Sequence, residues 1–106
     1  MEAKYLLTLT TLENFLSAHQ ISKVLITEQL AACCTIVPNC FSVYTWEGKV
    51  EERKECLLFI KTTEDKYKQL EQRLRELHSD KVPEIIALPI VSGLEDYLSW
   101  VRDVVK

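Results

Sequence analysis

The chain has 106 residues, 47% hydrophobic and 27% charged, a balance that gives one domain around one core and excludes both a disordered coil and a membrane-embedded chain. Its 13 Lys and Arg against 16 Asp and Glu leave a net charge of -3, which excludes the basic surface that nucleic acid requires. Residues 1–106 are expected to form a single domain, rich in helix and strand because only 2 Gly and 3 Pro interrupt it.

Met1-Glu2-Ala3-Lys4 runs into an apolar segment too brief for a signal-peptide core or a membrane span, so a cytoplasmic location without a membrane partner is expected. Tyr5 to Leu9 is a β-prone run, and Thr10 with Glu13 reads as a capping box that opens a helix. Leu12, Phe15, Leu16, Ala18, Ile21 and Leu25 recur at three- and four-residue spacing, and that helix should end near Gln29. Ala32 to Val37, then Ser42 to Trp46 after a break at Pro38-Asn39, make one long bent strand or two short ones. A turn at Glu47-Gly48 returns the chain through Lys49-Val50-Glu51 to Cys56-Leu57-Leu58-Phe59-Ile60, an apolar run suited to a strand covered on both sides.

Residues 64–78 carry the clearest helical pattern, with Tyr67, Leu70, Leu74 and Leu77 on one face and Glu71 and Arg75 in a solvated charge pair. Ile85-Ile86-Ala87-Leu88 is a short strand closed by Pro89. Ser92-Gly93-Leu94-Glu95 reads as a second capping box, and Leu94, Tyr97, Leu98, Val101 and Val105 form the stripe of a last helix. The order βαββαβ plus a terminal helix is the split βαβ unit of an α+β, ferredoxin-like fold: an antiparallel sheet with two helices on one face. Cys33, Cys34, Cys40 and Cys56 contain no C-x-x-C pair; Cys33, Cys34 and Cys56 are expected to be buried thiols and Cys40 an exposed one, with neither a disulfide framework nor a tetrahedral zinc site.

Five segments in register resemble CutA proteins. Glu28-Gln29-Leu30-Ala31-Ala32-Cys33 is similar to the family's E-x-L-A-A-C, and Ser42 to Glu51 to its S-x-Y-x-W-E-G-K-[IV]-E hairpin. Ile60-Lys61-Thr62, Val82-Pro83-Glu84-Ile85-Ile86 with Pro89-Ile90, and Tyr97-Leu98-x-Trp100 follow in the family's order. The resemblance implies a cytosolic homotrimer linked to divalent-cation tolerance, with a divalent ion, copper first and zinc second, as the implied metal and no organic cofactor.

The resemblance places His78 and Glu84 at the two ends of the family's H-P-Y-x-x-P-E segment, as metal ligands that a neighbouring subunit would have to complete. The alternative is a helix-end His and a Glu paired with a Lys. Ser79-Asp80-Lys81 departs from the pattern and removes the aromatic ring; Thr10 stands where some members carry Cys, and Leu77 where some carry a second His. Asp80 could then serve as an oxygen ligand for a harder ion. Tyr44 and Trp46 alternate with Val43 and Thr45, so both rings share one face of the hairpin, where a subunit contact is expected. Lys61 either faces a cleft and holds an anion or snorkels to solvent.

Three functions therefore stand: a metal-binding trimer, a signalling or interaction module resembling the PII regulators that takes a small anionic ligand, and an enzyme. The last is not expected, because spacing supports no nucleophile-base pair and no phosphate loop.

Overall fold

The computed structural model describes residues 4–106. Its elements are β1 (Tyr5–Leu12), α1 (Phe15–Thr27), β2 (Cys33–Trp46), β3 (Lys49–Thr63), a 3-10 turn (Glu64–Lys66), α2 (Tyr67–Leu77), β4 (Ile85–Pro89) and α3 (Glu95–Val104). The four strands form one antiparallel sheet in the order β2-β3-β1-β4. This is the expected ferredoxin-like arrangement with a helix added after it.

Thr10 does not cap a helix. It lies within β1, paired with Leu58 on one side and Ile85 on the other, and two backbone ladders outweigh a local side-chain bond. The cap is Asn14, in extended conformation, whose Oδ1 accepts the Ser17 amide at 2.8 Å. Phe15 and Leu16 fall in the first turn beyond the sheet and are 54% and 62% exposed, so the buried stripe of α1 reduces to Ala18, Ile21, Ser22 and Leu25. Ser92 likewise caps nothing: α3 starts at Glu95 after Leu94, with no side-chain cap bond.

β2 is one continuous bent strand. Its register against β3 shifts between Val37 and Cys40, where Pro38 lacks an amide for the ladder and Asn39 adopts φ 62°. The bulge sets Ser42, Tyr44 and Trp46 opposite Arg53, Glu51 and Lys49. Glu47 and Gly48 both have positive φ, 51° and 78°, the two-residue turn whose twist matches that of the strands it joins.

One sheet face meets α1 and α2. There Leu12, Cys56, Leu58 and Ile60 pack with Ala18, Ile21, Leu25, Leu70 and Leu74 in a single buried cluster. Alternation along the strands sends Leu7, Leu9, Leu57 and Phe59 to the opposite face. α3 covers only the end of that face near Tyr5, through Val101 and Val105. The apolar run of β3 is therefore covered fully on one side only, since Leu57 and Phe59 remain half-buried. Cys56 is buried as expected, whereas Cys33, Cys34 and Cys40 are all half-buried free thiols.

Candidate functional site

An open groove of about 690 Å³ lies where the hairpin, the end of β1 and the loop after α2 meet, with Ser42, Tyr44, Trp46, Arg53, Asp80 and Glu84 in its walls. By alternation along β3, Arg53 and Glu55 emerge on the same side as Leu57 and Phe59. The groove thus continues the sheet face that α1 and α2 leave open.

The loop that forms one wall is set by His78. Its backbone amide closes α2 on the Leu74 carbonyl at 2.8 Å, and its extended conformation ends the helix. The ring turns inward, with its side chain 1% exposed. Nε2 lies 2.8 Å from the Thr11 carbonyl and donates to it, while Nδ1 accepts the Asp80 amide at 3.1 Å. This pattern requires the neutral tautomer protonated on Nε2.

Asp80 is held from the other side by Arg53, whose Nη1 and Nη2 donate to the two carboxylate oxygens at 3.1 and 2.8 Å. The guanidinium beside it keeps the Asp80 carboxyl below its ordinary range, and the two carboxylates around Arg53 push that guanidinium up. Arg53 Nε also donates to Glu55 at 2.8 Å, and the Ser42 hydroxyl donates to the same carboxylate. Glu55 is 4% exposed, a burial that needs both partners. One continuous set of bonds therefore ties the hairpin, through Arg53 and Asp80, to His78 and the end of β1.

Of the residues picked out from the sequence, Glu84, Tyr44 and Trp46 line the groove, and Asp80 lines it while engaged by Arg53. His78 does not line it, and both of its ring nitrogens are already bonded. As arranged, His78 and Glu84 do not offer a metal ion two free donors, and the described residues contain no group of three or more His, Cys, Asp or Glu placed to hold one. The His78 ring bonds the Thr11 carbonyl of β1 and no carbonyl of its own helix. Lys61 lies elsewhere on the sheet, bonded to Thr35, so it and Asp80 do not share a site. Glu71 accepts from the Tyr67 hydroxyl at 3.1 Å, and Arg73 rather than Arg75 forms ion pairs, with Glu28 and Glu76.

Sequence reasoning passed over Arg53, Glu55 and Ser42. The signal for them was present in the period-two spacing of Arg53 and Glu55, which puts opposite charges side by side on one strand face.

Comparison with known proteins places the chain. Residues 6–104 match the family model described as CutA1 divalent ion tolerance protein. A relative from Thermus thermophilus, a divalent-cation tolerance protein CutA, is 48% identical over 86 residues, or 81% of this chain and 84% of the relative. The chloroplastic protein CutA of Arabidopsis thaliana is 41% identical over 93 residues, 88% of this chain; the match spans only 51% of that longer protein. A crystal structure of CutA from Xylella fastidiosa superimposes with a TM-score of 0.95 at 38% identity, over 98% of this chain and 100% of that one. Among the described residues no helix is long and apolar enough to cross a membrane.

Proposed function

The chain belongs to the CutA1 divalent ion tolerance protein family, and from that premise we propose that it acts in divalent-cation tolerance, copper foremost, as a cytosolic homotrimer without catalysis. The observation that carries this reading is the sheet face left bare by α1 and α2. Ile86 and Leu88, on the edge strand β4, are each 49% exposed there, beside the half-buried Leu7, Leu9 and Phe59. An apolar patch of this kind in so small a domain is stabilised by covering it with other copies. Tyr44 and Trp46, 40% and 41% exposed on the adjoining hairpin, are ring anchors for the same contact.

In this reading the metal ion is cargo taken up at the seam between copies. Glu84 is the groove carboxylate that Arg53 does not engage, and its oxygens are free to act as hard ligands alongside donors from a second chain. His78 positions the loop from beneath. Calorimetric titration of the assembled protein with Cu(II) and Zn(II) tests the division of labour. Glu84→Ala should weaken uptake about tenfold, whereas His78→Gln should change it by less than about twofold while lowering thermal stability. Equal heats from wild type and Glu84→Ala would remove Glu84 from the site.

A further inference from the structure

His78 is one of 2 histidines in the chain, a buried titratable group whose proton the proposed function leaves unused. Its two ring nitrogens hold two different segments. Nε2 donates to the Thr11 carbonyl at the end of β1, and Nδ1 accepts the amide of Asp80. Nδ1 is an acceptor only while the ring is neutral. A second proton would set an N–H against the Asp80 N–H across the 3.1 Å that the bond now spans. Two donors would then face one another around a side chain only 1% exposed, where water gives little relief.

The groups around the ring decide its response. From the loop, Asp80 Oδ2 stands 4.0 Å from Nδ1, beyond hydrogen-bond length but within a small movement of it. From β3, Arg53 clamps that carboxylate through both Nη atoms and is itself bonded to Glu55. β1 presents the Thr11 carbonyl, and α2 the Leu74 carbonyl that the His78 amide takes; Lys81 and Glu84, the other charged groups of the loop, line the groove. An imidazolium therefore has the Asp80 carboxylate as its counter-charge, and an oxygen that already accepts from Arg53 keeps a lone pair for it. Amide and carboxylate belong to one residue, so the Ser79-Asp80 peptide must turn away while the carboxylate, held by Arg53, stays as the pivot. No helix or strand resists that turn before Ile85.

We infer that His78 and Asp80 form a proton-operated switch in the groove wall. Neutral His78 holds the Asp80 amide and fixes residues 79–84; protonated His78 takes the Asp80 carboxylate instead and lets those residues move. One hydrogen bond is exchanged for one charge-assisted bond, so neither state leaves the buried ring unpaired. All the parts lie within one chain, and the switch needs neither a second copy nor a metal ion.

NMR of the 15N-labelled full chain, with a chelator present, tests it from about pH 8 to about pH 5, the range in which imidazoles titrate. At the upper end the His78 ring should show its proton on Nε2 alone. As pH falls, the ring and the amides of Ser79, Asp80 and Lys81 should move on one midpoint, while the Arg53 Nε signal stays in place. Protection of the Asp80 amide from hydrogen exchange, corrected for intrinsic rates, should fall about tenfold across that midpoint. Asp80→Asn keeps the amide but removes the counter-charge, so its midpoint should drop by about half a pH unit or more. His78→Gln, which offers an uncharged donor and acceptor, should abolish the movement, and His19→Gln should leave it intact. Amides that stay still while the wild-type ring titrates would overturn the switch, and that result needs no variant to fold. So would an equal movement in His78→Gln, an unchanged midpoint in Asp80→Asn, or a ring that takes no second proton before the chain unfolds.

Discussion

The two faces of the sheet are built from the same strands but meet different surroundings. Toward α1 and α2, Leu58, Ile60, Leu70 and Leu74 are fully buried and the fold closes within one chain. On the other face Leu7, Leu9, Leu57 and Phe59 are half-buried, and Ile86 and Leu88 are half exposed. The first face makes the domain; the second leaves apolar surface open in the single chain. Even the polar groups differ: the closed face holds the buried Thr8 and Thr10 hydroxyls without partners, while the open one carries Lys61 and leads into the Arg53 network.

The sharpest way to break this contrast is to truncate the closed face. Leu58→Ala should cost about 2–5 kcal/mol in urea unfolding, the loss of a buried side chain plus the cavity it leaves; a cost below about 1 kcal/mol would mean that this face is not the core. Arg53→Gln comes next, at about 2 kcal/mol, a figure reduced for the third of the side chain that water still reaches. It strands the buried Glu55 and releases Asp80.

The same variant has a pH signature. Because the folded Asp80 carboxyl is held below its ordinary value, its contribution is complete above the unfolded pKa of about 3.9 and fades as pH falls through the lower folded value. The stability gap between wild type and Arg53→Gln should therefore be constant near neutrality and narrow below about pH 4. Parallel acid unfolding curves would remove Arg53 as the source of the shift.

Smaller effects sharpen the comparison from its edges. Asn14→Ala removes the cap of α1 and should cost about 1 kcal/mol by thermal unfolding, whereas Thr10→Val, in the strand that sequence reasoning mistook for a cap, removes an unpartnered hydroxyl and should be neutral or stabilising. Leu88→Lys on the open face should change single-chain stability by less than about 0.5 kcal/mol at high dilution, yet prevent assembly when the native mass is measured. A large loss of stability at every concentration would instead make that face part of the single-chain core.

The order and type of every main element were legible because period and turn chemistry are local: the stripe of α2 and the Glu47-Gly48 turn needed no tertiary knowledge. Helix starts were not. Thr10-x-x-Glu13 is a sound capping pattern, but strand pairing on both sides of Thr10 is a long-range fact that the pattern cannot contain. The groove was half legible. Tyr44, Trp46 and Glu84 were found through resemblance and Asp80 as a departure from it, while Arg53 and Glu55 looked like ordinary polar strand residues until folding brought Asp80 to them across 27 positions of sequence. His78 shows the converse: its residue type suggests a ligand, and only its two bonded nitrogens show it supporting a loop.

Sedimentation equilibrium across a wide range of dilution tests most directly the claim that the open sheet face is sheltered by sister chains. The account predicts a particle of three times the 12.3 kDa chain, which Leu88→Lys converts to single folded copies. A wild-type protein that stays at the mass of one chain, folded and soluble at high concentration, would contradict it.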